Sequence, residues 1–200
     1  MMTGTTPIAA GPLIHVHRRC GATIEVVDGW ELAVRYPTEP GVGENAIVDM
    51  SHQSVHEVSG ASTGEVLQSL CGVDVPIRSV HTAEQRQVYR PADTRGLIFG
   101  DVTLPGAIDV TGGWSSVALF GPDARTVLNK ISGLDLRDET LPPSHCCQGP
   151  VFGVNTLFGR LEDQYQLHAC PDVLEFLWEV ILDAGAEFNL KPARLNWIAD

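Results

Sequence analysis

Basic residues are scarce in this sequence. Its 13 Lys and Arg residues face 25 Asp and Glu residues, so the formal net charge at pH 7 is −12 with histidine neutral. A polyanion would meet a repulsive field on such a surface unless a local basic patch outweighed it. The charge balance therefore argues against nucleic acid as a partner.

Long apolar runs and paired cysteines are also missing. No stretch reaches the roughly 20 apolar residues that a membrane helix needs, and residues 1–12 lack the basic start and apolar core of a secretory signal. The five cysteines form no C-x-x-C pair, and an odd number in a chain of this length is not typical of a disulfide framework. We therefore expect reduced thiols and a soluble, cytoplasmic protein.

Common catalytic and nucleotide-binding signatures are absent as well. The sequence contains no G-x-G-x-x-G, P-loop, G-x-S-x-G or H-E-x-x-H motif. His52 and His56 are four residues apart in a run that is typical of a strand, where four residues cover about 13 Å, too far for two ligands of one ion. His145-Cys146-Cys147 offers no second ligand pair, and we interpret it as a loop thiol pair. No metal site is expected.

What the sequence does contain is an internal repeat. Residues 54–75 align without a gap on residues 115–136, and each copy reads as a strand, a glycine turn and a helix that ends near Gly72 or Gly133. The helices are expected at 62–71 and 122–132. The identical pairs are Ser54/Ser115, Gly60/Gly121, Val66/Val127, Leu67/Leu128, Gly72/Gly133 and Asp74/Asp135. The repeat predicts an α+β fold with two related lobes, at about 46–105 and 107–170, within one module of residues 1–200.

Other elements follow from residue patterns. The final helix, 171–190, opens at Pro171-Asp172 and has a core-facing stripe at helical spacing. Residues 36–45 and 138–150 are rich in proline and glycine and are expected to be loops. The expected strands, rich in β-branched and aromatic residues, are 23–27, 48–60, 96–104, 152–158 and 164–169. The stripe of the final helix comprises Val173, Leu174, Leu177, Val180, Ile181, Ala184 and Phe188.

Asp101 is the candidate acid or base in this pattern. It follows Phe99 and Gly100 directly and precedes Val102, in an otherwise apolar run. If this carboxyl group were buried, its pKa would rise and it could exchange protons near neutrality. The alternative is an exposed aspartate at the end of a strand.

Four segments, in order along the chain, resemble the T-protein of the glycine cleavage system, the tetrahydrofolate-dependent aminomethyltransferase. They are GATIEVVDGWELAVRYP (21–37), AIVDMSHQSVHEVSG (46–60), VALFGPDARTVLNKISGLDL (117–136) and LWEVILDAGAEFNLKPARL (177–195). The second is similar to the D-V-S-H motif of that family. The resemblance spans nearly the whole chain and implies the family's folate-binding fold, with two pseudo-symmetric lobes and without the C-terminal β domain of longer members.

The resemblance also implies a function and a site. The function is transfer of a one-carbon unit from an amine or similar donor to tetrahydrofolate. The family's catalytic aspartate matches Asp101 after a one-residue slip in RGLIFGDV (95–102), which a bulge at Gly100 would correct. The family's long pterin loop is shortened here to RLEDQYQ (160–166). A folate pocket between the lobes is implied, with Asp101 as the catalytic residue and with contacts from Met50, Ser51, His52, Tyr89, Arg160 and Glu162.

A second resemblance implies an alternative function. VFGVNTLFGR (151–160) and the residues up to Tyr165 are similar to the γ subunit of heterotetrameric sarcosine oxidase, which is also a short chain. In that setting the chain would be a non-catalytic assembly subunit of an oxidase or demethylase. A short chain leaves one side of the folate pocket open, so we expect a second copy or a larger catalytic subunit to cover it. Because proline stiffens loops 36–45 and 138–150, they are the predicted docking face.

Overall fold

The computed structural model describes residues 8–83, 86–195 and 197. The α-helices are α1 (Ile14–Arg19), α2 (Thr63–Cys71), α3 (Ala124–Ile131) and α4 (Leu174–Gly185). Short 3-10 segments cover Thr111–Gly113, Pro171–Val173 and Ala186–Phe188. In chain order the strands are β1 (Ala9–Ala10), β2 (Thr23–Val27), β3 (Trp30–Arg35), β4 (Ala46–Asp49), β5 (Val55–Ser59), β6 (Ser79–Ala83), β7 (Arg86–Ala92), β8 (Arg95–Phe99), β9 (Ile108–Asp109), β10 (Ser115–Phe120), β11 (His145–Val151), β12 (Val154–Arg160), β13 (Gln164–Ala169) and β14 (Lys191–Ala193).

These strands form a small sheet and a large one. The small sheet has the order β1-β3-β2, and the large sheet has the order β14-β4-β10-β13-β12-β11-β6-β7-β8-β5-β9. Helices and a largely antiparallel sheet in one unit give the α+β class that the sequence predicts. None of the described helices is long and apolar enough to span a membrane.

The large sheet contains the same unit twice. In the first half, β5 and α2 are followed by β6, β7 and β8, which are ordered β6-β7-β8-β5; in the second half, β10 and α3 precede β11, β12 and β13, ordered β11-β12-β13-β10. The halves join where β6 pairs with β11, at Ser79 opposite His145. The strand before each unit pairs with the other unit, because β4 pairs with β10 and β9 with β5. The lobes are therefore pseudo-symmetric, as predicted.

The backbone conformation agrees with the predicted repeat at the glycine turn before each helix and differs at the end of the second helix. Gly60 and Gly121 both have positive φ, 120° and 103°, where the strand turns into the helix. Gly72 ends α2 in the left-handed conformation, as expected. The prediction that Gly133 ends α3 is wrong, because Ser132 is already extended at that helix end. Both repeat helices, at 62–71 and 122–132, are confirmed within one or two residues. The lobe boundaries 46–105 and 107–170 stay a prediction.

One face of the large sheet is covered by helices. On the second half, α3 and α4 bury a core that contains Leu119, Leu128 and Trp178. On the first half, α2 packs Leu67 against Gly96, so close that an added Cβ there would lie 2.8 Å from the leucine Cδ1. The predicted stripe of the last helix is confirmed, since Leu174, Leu177, Ile181 and Ala184 are buried and Val173, Val180 and Phe188 pack against the same core.

On the opposite face of the large sheet, residues of distant strands contact each other. Phe99 of β8 stacks on His168 of β13 with ring centroids 3.9 Å apart, although four strands separate β8 from β13 in the sheet order. The sheet is therefore curled, and its inner face brings the two halves together.

Several strand ends differ from the predicted ones. The strand predicted at 96–104 ends at Phe99 because Gly100, at a φ of 112°, turns the chain and donates its N–H to the Ser54 carbonyl. The strand predicted at 152–158 begins at Val154, since Phe152 and Gly153 form a hairpin turn with φ of 46° and 86°. The run 48–60 is two strands with a break between them, and residues 145–150 of the predicted loop 138–150 are β11.

Candidate functional site

Asp101 lies at the surface. Its Oδ1 accepts a hydrogen bond of 2.7 Å from the Ser54 hydroxyl, and its side chain lines an open groove with His56, Leu70 and Arg86. The residue is exposed. Of the two interpretations of the sequence, the structure shows the exposed aspartate after the end of a strand. Because β8 has already ended at Phe99, strand alternation does not set the direction of this side chain.

Arg160 and Glu162 do not lie on the face of the sheet that carries Tyr89. Arg160 donates hydrogen bonds to Asp138 Oδ1 at 2.7 Å and to the Leu141 carbonyl at 2.8 Å, and its guanidinium lies 5.7 Å from the ring centroid of Tyr165. Tyr165 belongs to the core under α3 and α4, so Arg160 points to the helix-covered face. Glu162 is exposed in the turn between β12 and β13.

The segment between β4 and β5 carries Met50, Ser51 and His52. The Ser51 hydroxyl and the backbone of Ser116 are in mutual contact at 3.3 and 3.4 Å, which ties this segment to β10. Burial lowers the pKa of His52, and its Nδ1 has no hydrogen-bond partner among the described residues. Met50 packs on the apolar cluster that contains Phe120. Ser51 thus lies beside β10, next to the inner face of the sheet, and His52 follows it in the chain.

Tyr89 is fully buried on that inner face. Its hydroxyl donates to Gln166 Oε1 at 2.8 Å, and its ring meets the His168 ring edge to face at 4.8 Å. It lies directly over Gly159, where any Cβ would clash with the hydroxyl. Glycine at 159 therefore allows this tyrosine to reach β13.

Five side chains of the inner face form what we call the inner cluster: Ser116, Gln166, His168, Tyr89 and Phe99. His168 Nδ1 lies 2.7 Å from the Ser116 hydroxyl. Burial lowers the pKa of His168 to about 3, so the imidazole is neutral at pH 7. The first half of the sheet contributes Tyr89 and Phe99, and the second half contributes the other three.

Two polar atoms of the inner cluster lack partners. Within the described part of the chain, nothing hydrogen-bonds to Nε2 of His168 or to Nε2 of Gln166, although both residues are at most 1% exposed. A neutral imidazole carries one N–H and one lone pair, so Ser116 satisfies one ring nitrogen and leaves the other in either tautomer. Buried polar groups are rarely left unpaired in folded proteins. The inner cluster can therefore hydrogen-bond a polar ligand or water.

A second buried network was not predicted from the sequence. His17 Nε2 lies 2.9 Å from Asp49 Oδ2, and the Tyr36 hydroxyl lies 2.8 Å from His17 Nδ1. We call these three residues the Tyr36–His17–Asp49 relay; they line a cavity of about 20 Å³, enough for one water. The other Asp49 oxygen accepts the Ser51 N–H at 2.9 Å. The relay thus fixes the segment that carries Ser51 and His52.

No group of three or more potential metal ligands lies together in the described ranges. The five cysteines are free thiols. Burial raises the pKa of Cys146 to about 12 and also raises that of Cys147, so both thiols stay protonated. They are neighbours on β11 rather than on a loop, and they pack into different cores.

The sequence of β13 contains a signal for the inner cluster. Gln164, Gln166 and His168 alternate there with Tyr165, Leu167 and Ala169, which predicts a strand with one polar and one apolar face. Alternation normally marks the polar face as solvent-exposed. The Tyr36–His17–Asp49 relay has no such local signal, because its members are far apart in the sequence.

The chain is similar to aminomethyltransferases. It is 28% identical to that of Geobacillus kaustophilus and 29% identical to that of Geobacillus thermodenitrificans over 226 aligned positions, which cover 92% of this chain and 61% and 60% of theirs. With the enzyme of Bacillus subtilis the identity is 24%. The chain therefore spans about 60% of the length of these curated relatives. No family model matches it.

Solved structures share the fold. The glycine cleavage system aminomethyltransferase T from Bartonella henselae superposes with a TM-score of 0.75 at 18% identity, over 96% of this chain and 61% of that one. A chain of heterotetrameric sarcosine oxidase from Corynebacterium superposes with a TM-score of 0.69 at 14% identity, over 92% of this chain and 97% of that one. The resemblance seen in the sequence is thus confirmed: the chain is related to the aminomethyltransferases and has the fold that they share with a chain of heterotetrameric sarcosine oxidase.

Proposed function

We propose that this protein binds a reduced folate and acts in aminomethyltransferase-type one-carbon transfer. The observation that carries the proposal is the similarity to aminomethyltransferases over 92% of the chain. The inner cluster supports it, because its donors and aromatic rings suit a neutral heteroaromatic ring such as a pterin. His168 Nε2 and Gln166 Nε2 are the unpaired polar atoms that such a ring would satisfy.

Trp114 and Arg95, next to the inner cluster, support a direction for the ligand. Trp114 is partly buried and meets the Phe99 ring at 6.3 Å, so it lies at the rim of the cluster. The Arg95 guanidinium lies 5.8 Å from the centroid of the Trp114 ring, and Arg95 is also ion-paired with Glu57. A folate carries a glutamyl tail whose carboxylates need a cation on this acidic protein. We propose that Arg95 binds that tail, with Ser51 and His52 on the pterin side.

The chemistry in this proposal is transfer of a one-carbon unit from an amine or similar donor to bound tetrahydrofolate. Tetrahydrofolate supplies the acceptor nitrogen when it is bound. Asp101 remains the proposed catalytic residue, which would hold the acceptor electrostatically and accept a proton. Its groove, beside Leu70 of α2, shares no lining residue with the inner cluster, so the acceptor nitrogen would have to reach this carboxylate from outside that cluster. Ser54 orients one oxygen of this carboxylate. Met50 and Tyr89 remain proposed contacts of the pterin. Arg160 and Glu162, which the resemblance also implies, lie apart from the inner cluster and would contact only a part of the ligand that extends beyond it.

Partners and location belong to the same proposal. The fold of this chain matches nearly the whole of one chain of a heterotetramer. This match supports an assembly in which the protein binds a larger catalytic subunit. The other proposed partner is a second copy of this chain. The free thiols support a cytoplasmic location. In the alternative function, an assembly subunit, this chain would bind no folate itself.

Calorimetric titration with tetrahydrofolate under reducing conditions tests the proposal. We expect saturable binding, weakened in Arg95→Gln, while tetrahydropterin, which lacks the glutamyl tail, binds both proteins equally. Arg137→Gln is the matched control, because Arg137 is exposed and, within the described ranges, pairs only with Asp135. Absence of binding at millimolar tetrahydrofolate would rule out folate binding by this chain and would favour the assembly-subunit function. Unchanged turnover in Asp101→Asn would remove Asp101 from the chemistry.

A further inference from the structure

Two exposed aromatic rings form a surface that folate binding does not use. Phe152, in the turn between β11 and β12, is 62% exposed, and Phe176, on α4, is 45% exposed. Their ring centroids are 5.9 Å apart. With Ile131, Val180 and Ala184 they line an open groove of about 440 Å³. We call the two rings and this groove the aromatic ledge.

The backbone conformation at Phe152 is unfavourable for a phenylalanine and destabilises the isolated chain. Phe152 and Gly153 are the central residues of a two-residue hairpin turn, with φ of 46° and 86°. Such turns favour Asn, Asp or Gly at both positions, since both need a positive φ that Asn, Asp and Gly adopt readily and bulky side chains rarely adopt. The hairpin itself would therefore be more stable with a residue other than phenylalanine at position 152. Exposure of the ring to water does not stabilise the isolated chain either.

The rim of the ledge is acidic. Its lysine, Lys130, is already neutralised, because the ammonium group donates to Glu187 at 2.6 Å and to the Ala184 carbonyl at 2.7 Å. Glu179 is 61% exposed and reaches Arg19 only at 3.5 Å. No ion pair of Asp183 is found within the described ranges. The groove thus offers an apolar floor with carboxylates beside it.

We propose that the aromatic ledge is the docking site for a segment of a different protein, one that presents a large apolar side chain flanked by Lys or Arg. The apolar side chain packs in the groove against Phe152 and Phe176, and the flanking cations meet Asp183 and Glu179. A second copy of this chain fits poorly, because it brings the same net charge of −12 to an acidic rim. The ledge is a different surface from the predicted docking loop 36–45, and the proposal is independent of folate binding.

A displayed library of random peptides, selected on the intact protein, is the probe. We expect enriched peptides to pair an aliphatic or aromatic residue with Lys or Arg, and to bind about tenfold or more weakly to Phe176→Ser, as for aromatic anchors at interfaces. Phe152→Asn should weaken binding in the same way without lowering the thermal midpoint, because asparagine suits the positive φ. Asp183→Asn should reduce the salt dependence of binding. Val42→Ser, at an 87% exposed residue of loop 36–45, is the control and should bind as the parent does.

Three results would overturn the proposal. One is failure to enrich any peptide over a counter-selection on Phe176→Ser. Another is enrichment of acidic peptides. The third is a concentration-dependent dimer in sedimentation that Phe176→Ser abolishes, which would assign the ledge to a second copy.

Discussion

At the scale of single residues, burial sets the protonation states around the inner cluster. His168 is fully buried between Phe99 and Tyr89, and desolvation lowers its pKa to about 3. His52 is shifted in the same direction by the same cause. Neutral imidazoles suit a site that offers hydrogen bonds to an uncharged ring.

Acid should destabilise the protein through His168. The unfolded chain binds this proton near pH 6.5, whereas the folded chain binds it only near pH 3. Stability is therefore complete above the unfolded pKa and falls as the pH drops below it, by up to about 1.4 kcal/mol per pH unit for this group. Urea unfolding between pH 7 and pH 4 measures this slope. His168→Gln should have a shallower slope than the parent, and an equal slope would show that His168 is not a buried neutral base.

The Tyr36–His17–Asp49 relay should contribute to stability through one hydroxyl. Tyr36→Phe leaves His17 Nδ1 buried without its partner, so we expect a loss of about 1–2 kcal/mol in the free energy of unfolding. Tyr165→Phe is the matched control, since no hydrogen bond of its hydroxyl is found within the described ranges, and it should change stability by under about 0.5 kcal/mol. Equal losses in the two variants would contradict a specific role for the relay. Burial also raises the pKa of Tyr36, so its hydroxyl stays protonated.

At the scale of elements, the contact of β7 with β12 depends on a missing side chain. Gly159→Ala would place a methyl group against the hydroxyl of fully buried Tyr89, so we expect a loss of about 1–3 kcal/mol, as for an overpacked core. Gly112→Ala is the control, because nothing lies within 4 Å of its Cβ position. A double-mutant cycle with Tyr89→Phe should show coupling between positions 89 and 159. Additive effects would show that the tyrosine does not rest on Gly159.

The sequence predicts elements better than it predicts their ends or their meeting points. The stripe of α4 and the glycine turn before each repeat helix are local patterns, and both are present. The end of β8 at Phe99 depends on a turn at Gly100 that strand periodicity does not show. Phe99 meets His168 only because the large sheet curls, which joins residues of different halves. Hence the sequence predicted Tyr89 as a site residue but not the side chains around it.

At the scale of the whole molecule, the inner cluster makes the two halves depend on each other. Tyr89 and Phe99 from the first half pack on Gln166 and His168 from the second, and the two halves belong to one sheet in which β6 pairs with β11. The surface ion pairs of the described residues contribute little to this, because most of them have an exposed partner. We attribute the cohesion of the molecule to the shared inner face.

The halves should therefore unfold together. Leu67→Ala removes a core side chain of the first half and Leu128→Ala one of the second, and both leucines are fully buried. We expect each variant to shift one common transition, by about 2–5 kcal/mol, when tryptophan fluorescence and far-ultraviolet circular dichroism follow it together. Two separate transitions, each moved by only one of the variants, would contradict the shared inner face.

The central claim is that the inner face of the curled sheet binds a reduced folate, and a crystal structure of the protein soaked with tetrahydrofolate tests it most directly. We expect the pterin within hydrogen-bond distance of His168 Nε2 or Gln166 Nε2, and the glutamyl tail beside Arg95 and Trp114. A folate bound at another surface, or an inner cluster whose polar atoms meet only water at saturating tetrahydrofolate, would contradict the claim.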